Sequence, residues 1–158
     1  MRKGLQLAFM LLVGSLLSCS SNDDSGGGNS GTGDLIISAI VGNWVATQAQ
    51  FTTTNSNPVL SRDVVADGGF CDLSVFQGNN FTLVIRNPGF PDPQITTGVL
   101  VADGDFINVR FDDDPTVDVR WDFTISQNNL IIVGSLDYDF ENDGIFEETS
   151  SNMQFVPN

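Results

Sequence analysis

The 158-residue chain contains no histidine, and its one lysine, Lys3, stands close to the start. Histidine is the side chain that most often moves protons in catalysis, and zinc sites need histidine or cysteine ligands. The chain also has just two cysteines, Cys19 and Cys71, and one tyrosine, Tyr138, among the side chains that could take part in catalysis. The sequence therefore predicts a protein that is not an enzyme, in which Cys71 is a buried free thiol.

Basic side chains are equally scarce beyond Cys19. Four arginines (Arg62, Arg86, Arg110 and Arg120) stand against all 20 acidic residues, which gives this part of the chain a formal net charge of −16. Such a surface repels nucleic acid and anionic lipid headgroups, so nucleic-acid binding is excluded. The charge favours cationic ligands or divalent ions, although it is also typical of proteins that use it only for solubility.

The first 19 residues have the features of an export signal that ends in a cysteine. Arg2 and Lys3 precede an apolar run over 5–13 that is too short to span a bilayer, and Leu-Leu-Ser stands directly before Cys19. This arrangement resembles a bacterial lipoprotein signal, in which the cysteine is acylated and the leader over 1–18 is removed. The resemblance implies a mature protein that begins at Cys19 and is held at a membrane by its acyl chains.

The segment from Cys19 to Asp34 is built from serine, glycine, asparagine, aspartate and threonine after its first residue. Because it cannot bury apolar surface, residues 19–34 are predicted to form a flexible tether. A serine directly after Cys19, followed by Asn-Asp-Asp at 22–24, resembles the acidic surface-export tag of Bacteroidetes lipoproteins. That resemblance implies the outer membrane and its cell-surface face, and the alternative is an ordinary acidic spacer on the periplasmic side.

Residues 35–158 are predicted to form one all-β domain. Apolar and polar residues alternate without exception over 117–125, which is the pattern of a strand with one wet and one dry face. Short hairpins favour an eight- to nine-stranded antiparallel up-and-down β-barrel, which leaves no free edge, after a helical turn at 35–41. The predicted strands are 43–53, 59–65, 70–76, 80–87, 95–102, 105–111, 117–126, 130–140 and 145–156.

The sequence Gly-Asn-Trp at 42–44, at the start of the first predicted strand, resembles the Gly-X-Trp signature of lipocalins. Phe-Cys-Asp at 70–72 and the hairpins at 75–82 and 139–146 extend the likeness to the lipocalin-like domains of Bacteroidetes lipoproteins, over about 35–157. The resemblance implies an eight-stranded cup on the cell envelope that binds a small hydrophobic or amphipathic ligand.

One departure from the lipocalin pattern concerns Trp44. Typical lipocalins stack an arginine from the end of the barrel over this tryptophan, but no basic residue follows Arg120 in this chain. Trp44 is therefore expected to close the barrel floor by apolar packing alone, or to pack against Arg110 or Arg120 from another strand.

The wall of the implied ligand site is predicted to contain Trp44, Phe81, Phe106 and Phe123. The alternative is that aromatic residues fill the barrel completely, and that the domain is a non-catalytic interaction module that presents acidic loops to a partner protein or glycan. The candidate interior phenylalanines are Phe51, Phe76, Phe81, Phe106, Phe111, Phe123, Phe140 and Phe155.

Two acidic segments are candidates for a cation site. Asp139, Glu141 and Asp143 have the alternate spacing of a calcium loop, with a glycine next, but the twelfth position is Ser150, which has no carboxylate. The alternative is a plain hairpin with acidic residues on its wet face. The second segment, at 112–114, is either a solvated loop or a site for a divalent ion or cationic ligand.

Overall fold

The computed structural model describes residues 32–158, which contain one α-helix and nine β-strands. The predicted signal, Cys19 and most of the predicted tether lie outside these residues. The elements are α1 (Thr32–Ile40), β1 (Gly42–Thr53), β2 (Ser61–Asp63), β3 (Phe70–Val75), β4 (Asn80–Arg86), β5 (Gln94–Asp103), β6 (Phe106–Phe111), β7 (Asp118–Ser126), β8 (Asn129–Tyr138) and β9 (Glu147–Pro157).

The strands form a closed antiparallel barrel in which, apart from β2, strands that follow each other in sequence lie side by side. β1 pairs along its length with β9, from Trp44↔Pro157 to Thr53↔Thr149, and this ladder closes the barrel. The other edge of β1 pairs first with β3 and then with β2, so β2 is a short extra strand beside an eight-stranded barrel. The prediction of an all-β barrel with a short helix is confirmed.

Alternation places every second side chain of each strand inside the barrel. In β3 and β4 the buried residues, all of them apolar, alternate with partly or fully exposed residues without interruption. β1 differs, because its register with β9 shifts between Ala46 and Gln48. Trp44 and Ala46 point inward before this bulge, and Ala49 and Phe51 after it. The bulge lets one long strand keep an apolar face on the core while it bends.

α1 covers the end of the barrel at which β1 begins, called here the helix end. Ile37 and Ile40 are buried, and the helix contacts β5 and β6. The Gly33 N–H donates to the Gly104 carbonyl at 3.0 Å, and a Cβ on Gly33 would lie 2.6 Å from a backbone oxygen. Residues 32–34, predicted as part of the tether, therefore belong to the helix.

Trp44 fixes the helix to the first strand through a hydrogen bond. Its indole Nε1 donates to the Ile40 carbonyl at 2.8 Å, and the side chain is buried. Arg110 pairs with Asp118 instead, and Arg120 lies over a phenylalanine ring. The alternative of arginine packing on Trp44 is therefore wrong.

Trp44→Phe is expected to lower the free energy of unfolding by about 1–2 kcal/mol, because the smaller ring leaves the buried Ile40 carbonyl without its donor. Denaturant unfolding of the chain from Ser20 onward, which keeps every described residue, measures this. Leu35→Ala, at an exposed position of the same helix, is the control and should have little effect. An unchanged stability in Trp44→Phe would refute this role of the indole.

Candidate ligand cleft

The barrel wall opens between β7 and β8. These strands pair from their hairpin up to Trp121↔Gly134 and no further. Residues 118–120 then pair with β6 alone, and residues 135–138 with β9 alone. In an uninterrupted ladder the two segments would face each other as partners. The result is a gap in the wall at the end opposite the helix, called here the open end.

Trp121 lies at the point where the gap begins. Its ring packs directly on Gly134, where a Cβ would be 2.1 Å from the indole Cδ1. The indole Nε1 donates to the Ser135 carbonyl at 2.9 Å. Ser135 is the first residue of β8 beyond the last residue pair that joins β7 and β8. Three phenylalanine rings lie with their centroids 5.9–6.2 Å from that of Trp121: Phe81, Phe111 and Phe123. This aromatic cluster fills the interior below the gap.

A cavity of about 720 Å³ occupies the gap and the adjoining part of the open end. Small-molecule sites usually measure roughly 300–1,000 Å³, so the space suits one ligand of modest size. Its apolar lining residues are Ile95, Phe111, Val117, Val119, Leu136 and Phe146. Val117 and Phe146 are half exposed, at 50% and 56%. The cavity, its lining and the opened ladder are together called the cleft.

Five carboxylates also line the cleft, and none of its lining residues is basic. Some are oriented by neutral donors. An oxygen of Asp112 accepts from the Thr97 hydroxyl at 2.6 Å, and an oxygen of Asp114 from the Thr116 hydroxyl at 2.7 Å. The Asn55 amide donates to Glu148 at 2.7 Å. These bonds orient the carboxylates without neutralising them. The five residues are Asp112, Asp113, Asp114, Asp137 and Glu148.

The loop at 139–146, called here the crossing loop, closes another part of the open end. Arg62 of β2 donates to the Phe140 carbonyl at 2.6 Å. Asn87, after β4, and Gln94, in β5, donate their side-chain amides to the Asp139 carbonyl at 3.1 and 2.7 Å. Because β2, β4 and β5 stand across the barrel from the start of this loop, the loop spans the opening and leaves the cleft at its side.

Beneath the crossing loop, Tyr138 and its neighbours complete the core. The rings of Tyr138 and Phe51 stack with centroids 4.3 Å apart, and Phe140 packs edge-on against Tyr138 at 4.7 Å. The Tyr138 hydroxyl is hydrogen-bonded to Asn87, and burial raises the pKa of this phenol above its ordinary value. Tyr138 is therefore neutral at physiological pH, and its side chain packs in the core beneath the crossing loop.

The residues predicted to bind calcium lie in the crossing loop. The Asp139 carboxylate accepts the backbone N–H groups of Asp143 at 3.2 Å and Gly144 at 2.8 Å. An oxygen of Asp143 accepts the Ile145 N–H at 2.9 Å, and Glu141 is exposed. Among residues 32–158, no group of three or more histidine, cysteine or acidic side chains is arranged to hold a metal ion. The calcium site stays a prediction.

Asp139→Ala is expected to lower the free energy of unfolding by about 1–3 kcal/mol, because two N–H groups of the crossing loop lose their acceptor. The expected loss is the same in calcium and in a chelator, and urea unfolding in the two buffers measures it. Glu141→Ala, which removes an exposed carboxylate, is the control. A loss for Asp139→Ala that appears in calcium and vanishes in the chelator would establish the metal site and contradict the purely structural role.

The four residues predicted to line a ligand site do not form one site, although Phe106 and Phe123 line a small surface pocket of about 150 Å³. Trp44 is at the helix end, Phe81 is deep in the core, and Phe123 is half-buried against it. Phe106 is 46% exposed and lies beneath the Arg120 guanidinium, whose Cζ is 3.7 Å from the ring centroid. The predicted inward position of Phe106 is therefore wrong.

The alternation of inward and outward side chains along a strand explains why Phe106 was misplaced, and it explains a second misplaced residue. In β6 the buried residues are Ile107 and Val109, so Phe106 must face outward. Phe76 follows the inward Val75 of β3 and is 50% exposed, so its predicted interior position is wrong as well. In each case two adjacent residues are apolar, only one of them can face inward, and the sequence does not show which one it is.

Cys71 is buried and free, and burial raises the pKa of its thiol well above the ordinary value. Because the thiolate is the nucleophilic form, a buried thiol that stays protonated is unreactive.

Within the described part of the chain, the helix α1 is not long and apolar enough to cross a membrane.

The sequence was also compared with protein-family models and with curated proteins, and it matches none of either kind. The structure establishes the fold, a closed antiparallel β-barrel with one short helix, and the lipocalin-like family stays a prediction.

Proposed function

We propose that this protein is a lipid-anchored lipoprotein of the cell envelope whose lipocalin-like barrel binds one small amphipathic ligand in the cleft between β7 and β8. The observation that carries the proposal is the cavity of about 720 Å³ at an opened part of the barrel wall. Exposed Val117 and Phe146 at its rim are apolar side chains without cover. A ligand with an apolar body would remove them from water.

The proposed site differs in place from the cup that the lipocalin resemblance implies. Phe51, Phe81, Trp121 and Phe155 are each at most 2% exposed and occupy the middle of the barrel. A ligand held in the central axis would need this core to move. The cleft avoids that cost, because its space already exists at the side of the open end. Binding there needs no cofactor and no catalytic group.

The proposed anchor is consistent with the position of the cleft. The described chain enters the barrel through α1, at the helix end, and the cleft lies at the other end. A tether from Cys19 would therefore attach far from the cleft and leave it open to solvent. We propose the outer membrane as the location, with the domain on its periplasmic or its cell-surface side.

Binding of the neutral fluorophore N-phenyl-1-naphthylamine to the chain from Ser20 onward tests the proposed function. One molecule is expected to bind each protein. The double variant Val117→Asn with Phe146→Ser is expected to lose affinity by about tenfold, because it removes apolar contacts at the rim.

The matched control is Val133→Asn, since Val133 is similarly exposed, at 43%, but does not line the cleft. It should bind as the unchanged protein does. Absence of binding by the unchanged protein, or equal weakening in both variants, would contradict the site.

A second candidate function is the interaction module, and the opened ladder favours it. Residues 135–138 present one strand edge without a partner strand. An extended segment of a partner protein could add to this edge, as in β-strand addition. Hydrogen exchange separates the two functions: a partner strand should slow exchange of amides within 135–138 strongly, because it adds backbone hydrogen bonds there, whereas a small ligand that covers the same residues should slow it much less.

A further inference from the structure

We infer that the ligand of the cleft is an amphipathic cation, with an apolar body and an amine or guanidinium head. This inference rests on the proposed function, and it adds the charge of the ligand. The apolar lining by itself would accept a neutral, an anionic or a cationic amphiphile. The carboxylates around that lining distinguish among the three.

The carboxylates stand on both sides of the cleft. Residues 112–114, in the loop between β6 and β7, form one side, while Asp137 of β8 and Glu148 of β9 form the other. A positively charged head between the two sides would meet carboxylates from both directions. A carboxylate head in the same place would meet like charges from both sides, which repel it.

The four arginines of the described chain are engaged elsewhere. Arg110 makes a two-bond pair with Asp118, at 2.8 and 3.0 Å. Arg120 pairs with Asp122 at 3.1 Å. Arg62 is held at the crossing loop, and Arg86 lies 4.4 Å from the centroid of a phenylalanine ring. Three aspartates outside the cleft, Asp67, Asp118 and Asp122, pair with arginines, and none of the carboxylates that line the cleft does.

Three ligands with the same twelve-carbon chain test the inference: dodecylamine, 1-dodecanol and dodecanoate, each below its micelle concentration. Displacement of N-phenyl-1-naphthylamine from the chain from Ser20 onward measures their affinities. The amine is expected to bind at least about tenfold more tightly than the alcohol, and dodecanoate more weakly than the alcohol. Added salt should weaken the amine and leave the alcohol unchanged.

The variant Asp113→Asn with Asp137→Asn removes two cleft carboxylates for which no hydrogen bond is present to be broken. It should lower the affinity for the amine by about tenfold and leave that for the alcohol unchanged. Asp92→Asn with Asp103→Asn changes the net charge equally but lies outside the cleft, so it is the matched control.

The possible results separate the inference from the proposed function. Equal affinity for the three ligands, or preference for dodecanoate, would overturn the cation inference while the cleft remains a binding site. Equal weakening of amine binding by both double variants would also overturn it, because the effect would then come from net charge alone. Failure of all three ligands to displace the fluorophore would overturn the proposed function itself.

Discussion

Trp121→Ala is expected to lower the free energy of unfolding by about 3–5 kcal/mol, as truncation of a large buried aromatic residue does. Trp121 is 1% exposed and contacts three phenylalanine rings. It also supplies the hydrogen bond to the Ser135 carbonyl at the point where backbone pairing between β7 and β8 ends. Removal of the indole therefore weakens the core and the start of the cleft together. Urea unfolding measures the loss.

Trp121→Phe separates these two contributions. A phenylalanine keeps aromatic packing but cannot donate to Ser135, so a smaller loss of about 1–2 kcal/mol is expected. Val133→Ala, at an exposed position of β8 beside Gly134, is the control and should have little effect on stability. A loss below about 1 kcal/mol in Trp121→Ala would contradict the position of Trp121 at the centre of the barrel.

Cys19→Ser is expected to abolish acylation and to leave the leader attached, because the signal resembles one in which the cysteine thiol carries the lipid. The membrane-bound fraction of the protein should then no longer carry acyl chains. Mass spectrometry of the purified protein measures both effects, as the mass of the uncleaved leader and the loss of the acyl groups.

Cys71→Ser is the matched control, because the chain has just these two cysteines. Cys71 is buried in β3, so its replacement should reduce stability through a buried hydroxyl but leave acylation and cleavage intact. Normal processing of Cys19→Ser would refute the lipoprotein signal, and loss of processing in Cys71→Ser would show that the assay reports folding rather than lipid attachment.

The β-strands were predictable where period and turn chemistry agree. The strict alternation over 117–125 predicts the inward Val119, Trp121 and Phe123 of β7. The hairpin predicted at 139–146 has positive φ values at Asn142 and Gly144, the residue types that tolerate them. Local chemistry decides both features, so the sequence alone suffices.

Features that depend on pairing between strands were not predictable. The bulge after Ala46 changes which residues of β1 face inward, and it is defined by the register with β9. The predicted strand over 59–65 shortens to Ser61–Asp63, because β1 offers this edge only a few positions beside β3. Phe106 and Phe76 were misplaced for the same reason, because the register with the neighbouring strands decides which residues of a strand face inward.

The candidate site was predictable in part. The acidic segment at 112–114 was recognised as a candidate for a cationic ligand, and it lines the cleft. The opening between β7 and β8 was missed, because both strands alternate well enough to pair along their full length. The one local signal is Gly134, which stands opposite Trp121 and gives the indole the space that a side chain would take.

The central claim is that a ligand binds in the opened wall between β7 and β8. Backbone amide NMR of the chain from Ser20 onward, titrated with dodecylamine, tests it most directly. The account predicts shift changes concentrated at residues 95–97, 111–119, 135–137 and 146–148. Changes concentrated at the helix end, around Trp44 and α1, or spread evenly over the surface would contradict it.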